Sequence, residues 1–405
     1  MRRVLILTET YAPEIGGGET QARDLAEGLV ALGMQVTLLT RRSRRDSPRS
    51  EVIHGVAVER RGPAGRGQTK KWALLAALVP ALWSRARTAD AVVVCGFRIL
   101  GIAAVPICRR LGVPCLLKAD SQGELSGAFF ERGLRELGLT RESWPLRALL
   151  ARRRRLLARA DRFVAVSSTI ATELTQHGVA AERVLRIPNG VDTGRFAPAT
   201  PNERRALRRR LQLPEAARIV VYAGRLVRYK GLPELLEAWP RVRAGRPDAH
   251  LVLVGAGGLD VDACEDELRV RARELGLEEC VHFTGAVADV SDYLRAADVF
   301  ALPSRNEAFG LAAVEALASG LALVSTRCGG LRDVVRHEET GIVVEPEAHS
   351  LGDGIARLLD DAALRRRLGD AGRQEAIERY SIRSVVSRYA AAVAELGAGG
   401  PGRKA

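Results

Sequence analysis

Short apolar runs alternate with helix-period stretches along both halves of this 405-residue chain, and that alternation limits the fold more than any other feature. The first half holds Val4–Leu7, Val36–Leu39, Ala91–Val94, Cys115–Leu117 and Phe163–Val166, with helical stretches such as Thr20–Ala31 between them. The second half repeats the pattern with Arg218–Tyr222, His250–Val254, Val281–Phe283, Val299–Leu302 and Ala322–Ser325. Strands this apolar, separated by helices, belong in parallel sheets covered on both faces. The chain exceeds one ordinary core and fits two domains of roughly 190 residues each. The prediction is an α/β protein of two doubly wound, Rossmann-like domains facing across a cleft.

The turn formers and prolines of IPNGVDTGRFAPATP mark the boundary between Asn189 and Arg218, and a charged helix is expected next at Asn202–Gln212. The expected division is 1–195, then 196–380, with a helix at 381–397 that returns to the first domain. The Gly- and Pro-rich end, 398–405, reads as a disordered tail.

The longest apolar run, Trp72 to Trp83, is too short to span a bilayer and contains Pro80. The start MRRVLILTET runs straight into a strand, with no cleavable signal evident. Six cysteines lie scattered without a C-x-x-C pair, which points to reduced thiols in the cytoplasm and to no metal site. Residues 1–200 carry 32 Lys and Arg against 18 Asp and Glu, whereas 201–405 carry 30 of each. The whole net charge of +14 therefore sits in the first half, which suggests an anionic partner there.

The chemistry concentrates around EAFGLAAVE. Glu307 and Glu315, with seven residues between them, bracket the end of a loop and the first turns of a short helix. The N–H groups near Gly310 and Leu311 form the positive end of that helix, a seat for phosphate. A solvated helix-face glutamate beside one that caps the helix would be the plain alternative. The surrounding motifs tell against it. AGRLVRYKG puts Arg225 and Lys230 beyond the carboxyl end of a parallel strand, where open α/β sheets bind ligands. An Arg fork and a Lys point charge suit a diphosphate and would stabilise it as a leaving group.

The loop GAGGLD offers Gly255 and Gly257, but Asp260 stands where a third glycine would complete a dinucleotide fingerprint, so no NAD is inferred. Asp260 and Asp262 also form a D-x-D, read here as a solvated acidic loop. Gly285, in FTGAV with Val287, permits close approach of a flat base, and TRCGGLRDVV places two glycines before a helix. In the first half, PEIGGGET puts Gly16–Gly18 between strand one and a helix starting near Thr20, open to a phosphate or sugar.

Taken together, GGGET, GRLVRYKG, the E-x7-E with its internal FG, CGGLRDVV and IPNGVD resemble retaining glycosyltransferases of the GT-B fold, family 4. The resemblance covers nearly the whole chain. It implies a hexosyltransferase that takes a nucleoside diphosphate sugar in its second domain and an acceptor in its first, with no cofactor. By motif matching it implies that Arg225 and Lys230 bind the diphosphate, Glu315 the ribose and Glu307 the transferred sugar. Gly17 and Gly18 would close over the phosphate, and Gly285 and Val287 would lie against the base. Many members carry a His after the fourth strand of the first half. Here that strand leads into LLKADSQGELSG, which offers Lys118, Asp120 and Glu124 instead.

KKWALLAALVPALWSRAR, from Lys70 to Arg87, has an apolar centre and basic flanks, as an interfacial segment or an ordinary core helix would. RRRR at 152–155 and RRSRR at 41–45 add long-range attraction to anions. The reading is a cytoplasmic glycosyltransferase that acts on a hydroxyl of a lipid-linked, polysaccharide or small-molecule acceptor, with room for peripheral attachment to the inner face of a membrane. Two rivals are a sugar-nucleotide epimerase or hydrolase on the same scaffold and a basic nucleic-acid-binding adaptor. The first lacks an evident His for proton transfer, and the second has few aromatics for base stacking.

Overall fold

A computed structural model describes residues 1–14, 16–62, 64, 68–128, 144–258 and 260–398, without the side chains of 68–74 and 398. The tail from 399 onward and the side chains of Lys70 and Trp72 thus lie outside the described residues. The chain divides into two units: Met1–Gly190 with the last helix, from Ile382, and Val191–Ser381.

The first unit runs β1 (Arg3–Thr8), α1 (Gly17–Ala31), β2 (Gln35–Arg41), β3 (Ser50–Ile53), β4 (Val56–Arg61), α2 (Gln68–Ala86) and β5 (Ala91–Cys95). It continues with α3 (Phe97–Leu111), β6 (Cys115–Ala119), α4 (Trp144–Leu157), β7 (Arg162–Ala165), α5 (Ser168–Gln176) and β8 (Val184–Arg186). These strands form one eight-stranded sheet in the order β3-β4-β2-β1-β5-β6-β7-β8. All neighbours are parallel except the β3–β4 hairpin. The chain reverses direction of winding between β1 and β5, which makes their carboxyl ends the switch point. β3, β4 and β8 were not among the expected strands. In β4 the reason is charge: buried Glu59 and Arg60 interrupt the apolar pattern, and each finds a partner, Glu59 in Arg61 and Arg85 and Arg60 in Glu51.

The second unit runs α6 (Pro201–Arg210), β9 (Arg218–Ala223), α7 (Leu232–Ala244), β10 (Ala249–Val254), α8 (Glu265–Glu274), β11 (Val281–Gly285) and α9 (Ser291–Ala296). Then follow β12 (Val299–Leu302), α10 (Leu311–Ala318), β13 (Ala322–Thr326), α11 (Leu331–Val334), β14 (Gly341–Val344), α12 (Ala348–Asp360) and α13 (Ala362–Tyr380). The sheet is fully parallel with order β11-β10-β9-β12-β13-β14, and its switch point lies between β9 and β12. α6 begins one residue earlier than expected because Thr200 and Glu203 form a reciprocal capping box ahead of Pro201.

The chain leaves the first unit at Gly190 and returns to it at Ile382, the start of α14 (Ile382–Ala398). α14 packs along α1 and contributes Val385, Val386, Tyr389 and Val393 to the core of the first unit. At the exit, Gln21 of α1 receives the Gly190 N–H and donates to the Gly190 carbonyl, both at 2.8 Å. One amide side chain thus satisfies both polar groups of a buried peptide.

Candidate active site

The second unit brings Arg225, Lys230, Glu307 and Gly310 to the ends of β9 and β12, at the switch point. Beyond β9 the chain makes a short 3₁₀ turn, Arg228–Lys230, before α7. Beyond β12 it runs through Ser304–Phe309 to α10, whose N-cap is Gly310, with φ 96° and no side-chain cap. The first N–H groups of α10 therefore point out of the helix without a capping partner from a side chain.

Lys230 Nζ is ion-paired with Glu307 Oε1, and the Ser304 hydroxyl donates to the same oxygen at 3.2 Å. The Arg305 N–H donates to the Tyr229 carbonyl at 2.9 Å, so backbone and side chain together hold the two loops in register. On its other side the Glu307 carbonyl accepts the Gly330 N–H at 2.9 Å. The pair of glycines in CGGLRDVV is explained by this contact. A Cβ on Gly329 would overlap the Glu307 carbonyl oxygen, and one on Gly330 would overlap that of Ala308. The two glycines let the 327–330 turn lie flat on the Glu307 loop. Phe309, inside the E-x7-E spacing, is buried and meets Tyr380 edge-on with ring centres 5.8 Å apart, which anchors the loop beneath Gly310. Glu315 follows in the second turn of α10, half-buried.

Arg225 leaves the end of β9 and pairs with Asp260, while its other nitrogen donates to the Tyr229 hydroxyl. The guanidinium lies 5.7 Å from the centre of the Tyr229 ring, and Lys230 Nζ lies 5.8 Å from it. Tyr229 is therefore shared by both cations, and burial raises its phenol above the usual value. Sequence reasoning passed over Tyr229, although it directly precedes Lys230 in VRYKG. Asp260 corrects an expectation. It is the carboxylate partner of Arg225, 35 positions away, and not merely part of a solvated loop. Among the described residues no group of three metal-capable side chains converges. Gly285 ends β11 with φ +68°, and a Cβ there would meet nothing within 4 Å, so open space lies beside it; Val287 is half-buried two residues on.

The first unit places its candidates differently from expectation. Gly17 and Gly18 belong to the first turn of α1, which starts three residues before the expected Thr20. First-turn residues need no N–H bond to a preceding turn, so glycine is tolerated there, and Glu19 suits the positive end of the helix. Asp120 lies just past β6, its carboxylate paired with buried Lys118 and near the Gly96 turn that follows β5. Glu124 is fully buried, which removes it as a direct substrate contact. It accepts the N–H groups of Phe97, Asp120 and Ser121 and the Ser121 hydroxyl, at 2.9–3.1 Å. Burial pushes the Glu124 carboxyl up and the Lys118 ammonium down. The run RRRR at 152–155 is also not uniformly exposed. Arg153 is buried, donating to the carbonyls of Arg98, Glu124 and Leu125 and so bracing the loop that holds Asp120.

Comparison with known proteins places this geometry. Residues 15–195 match Glycosyltransferase Family 4, and residues 203–375 match Glycosyl transferases group 1. The D-inositol 3-phosphate glycosyltransferase of Salinispora tropica is 31% identical, over 97% of this chain and 86% of its own length. The protein of the same name from Geodermatophilus obscurus is 35% identical over 62% of this chain, and that match spans only 57% of the relative. Among solved structures, Anabaena HepE in complex with UDP-glucose superposes with a TM-score of 0.76, covering 98% of this chain and all of that one, at 22% identity. The chain belongs to glycosyltransferase family 4, and it is a glycosyltransferase built on the two Rossmann-like domains of the GT-B fold.

Proposed function

We propose that this enzyme transfers a hexose from a nucleoside diphosphate sugar to a hydroxyl of an anionic acceptor, with retention of anomeric configuration. One observation carries the reading: Arg225 and Lys230 share Tyr229 after β9, and Lys230 pairs with Glu307 on the loop after β12 that leads into the uncapped start of α10. Arg225 and Lys230 are each paired with a single carboxylate. A diphosphate carries more negative charge than either Asp260 or Glu307 and draws both cations toward itself. The N–H groups at Gly310 and Leu311 add donors for the same oxygens.

Ionised Glu307 can only accept hydrogen bonds, which fits sugar hydroxyls, and Glu315 is assigned to those of the ribose. Gly285 and Val287 leave space for the base. In the transfer step the bond from the anomeric carbon to the phosphate oxygen breaks, and a bond to the acceptor oxygen forms on the same face. The acceptor proton passes to the departing phosphate, whose charge Arg225 and Lys230 hold. No metal is assigned a part in this scheme.

Gly17, Gly18 and Asp120 are assigned to the substrate side of the first unit. An anionic acceptor agrees with the excess of Lys and Arg in residues 1–200 and with the inositol phosphate in the names of the relatives. A lipid-linked acceptor would place the enzyme in the cytoplasm against the inner face of the membrane. No described helix is long and apolar enough to cross it. Neither rival reading gains support from the similarities. The test is a thermal-shift screen against UDP-, GDP- and ADP-sugars. One base class should raise the melting temperature of the wild type and not of Lys230→Ala. Failure of every nucleotide sugar to stabilise the wild type would sink the donor assignment.

A further inference from the structure

α2, α3 and α4 lie side by side on the first unit, with α3 packed against both of its neighbours. None of the three contains an acidic residue. The inner face of α2 is apolar, with Leu78, Leu82 and Ala86 buried. Its outer face is apolar as well: Ala76, Val79, Pro80 and Trp83 recur at i, i+3, i+4 and i+7 and are exposed, Val79 at 38% and Trp83 at 39%. A helix apolar all round is normally covered on every side. This one leaves its outer stripe uncovered among the described residues.

α4 supplies the complement. Trp144 and Leu149 are 80% and 64% exposed, and Arg152 and Arg155 lie on the same side as Trp144. Arg87, Arg110, Arg147, Arg152 and Arg155 make no ion pair among the described residues. In the second unit, by contrast, exposed arginines on helices commonly have carboxylate partners, as with Arg241 and Asp353 or Arg271 and Glu237.

From this juxtaposition we propose that the outer face of α2, α3 and α4 is a docking surface for an anionic phospholipid bilayer. Val79 and Trp83 enter the interface, and Arg110, Arg147, Arg152 and Arg155 sit at the level of the lipid phosphates. Charge complementarity selects this occupant. Three helices without a single acidic side chain among them repel cationic partners and give a neutral protein surface little to pair with. A bilayer supplies an apolar layer beneath a sheet of negative charge, which matches an apolar stripe rimmed by unpaired cations. The inference rests on the proposed attachment to a membrane and adds the face that makes it.

The experiment is co-sedimentation of the full chain with vesicles of phosphatidylcholine, alone or with roughly one third phosphatidylglycerol. Wild type should bind the anionic vesicles only, and less as salt rises. Val79→Asp/Trp83→Asp should weaken binding at least tenfold. Arg152→Gln/Arg155→Gln, at exposed positions that leave folding undisturbed, should weaken it by about tenfold, each arginine being worth a factor of several at such a surface. Melting temperatures near that of the wild type confirm that both variants fold. No vesicle binding by the wild type would overturn the attachment itself. Unchanged binding by both folded variants would leave the attachment standing and overturn this face. Self-association through the same residues, or binding to single-stranded nucleic acid in place of vesicles, would also overturn it.

Discussion

Replacing Lys230 by alanine separates its ion pair with Glu307 from its proposed role at the diphosphate. Lys230 and Glu307 are 15% and 12% exposed, so solvent screens their attraction only partly. The substitution leaves the Glu307 carboxylate with the Ser304 hydroxyl at 3.2 Å and one partner fewer. An under-satisfied group of this kind costs about 1–3 kcal/mol. For a unit of this size that corresponds to roughly 2–4 °C in melting temperature per kcal/mol. The effect on turnover should be much larger. Removing one preorganised donor from a developing charge costs about 10²–10³-fold. The assay measures turnover with a saturating nucleotide sugar alongside thermal melting. Lys230→Ala/Glu307→Gln should recover most of the stability, since no unpaired charge is left behind, and none of the turnover. Near-normal turnover in folded Lys230→Ala would refute the assignment of the diphosphate to this cation.

Gly330→Ala has ordinary φ but no room: its Cβ would lie 2.6 Å from the Phe309 Cα, so the Glu307 loop must shift. About tenfold weaker donor binding is expected, within the 1–3 kcal/mol range of overpacking, and calorimetry with the donor checks it. Gln21→Ala orphans the N–H and carbonyl of Gly190 and should cost about 2 kcal/mol, measured by denaturant unfolding. His250 and His282 stack across β10 and β11 with Nδ1 and Nε2 2.9 Å apart; burial lowers both, and for His250 the neighbouring ring adds to the effect. The unfolded chain then binds more protons than the folded one, so stability is complete above about pH 6.5 and falls as pH drops below it. Replacing both by Gln should flatten that slope in a pH series of melting curves.

The central strands were legible because each has an apolar centre, and the E-x7-E spacing because Gly310 visibly separates loop from helix; the short edge strands β3, β8 and β14 passed unnoticed. The ion pairs were not. Lys230 and Glu307 are 77 positions apart, and nothing local marks them as partners. The same holds for Asp260, which looked like one acid among several. β4 was hidden by its own charges, since a sequence window cannot show that Glu59 and Arg60 will find buried partners. Gly17 and Gly18 misled in the opposite way. Glycine is a poor helix former in general, but the first turn does not ask for the bonds it fails to support.

The two crossings of the chain lie side by side, with the Val191 N–H donating to the Tyr380 carbonyl at 2.7 Å. The second unit is therefore an insertion, and it emerges from the ribosome complete before the first unit has received α14. Until then the first unit lacks Val385, Val386, Tyr389 and Val393 from its core and exposes the groove along α1 where they belong. The second unit can mature while the first waits. The nascent protein would then complete its basic half, with whatever surface that half seeks, only after α14 has been made.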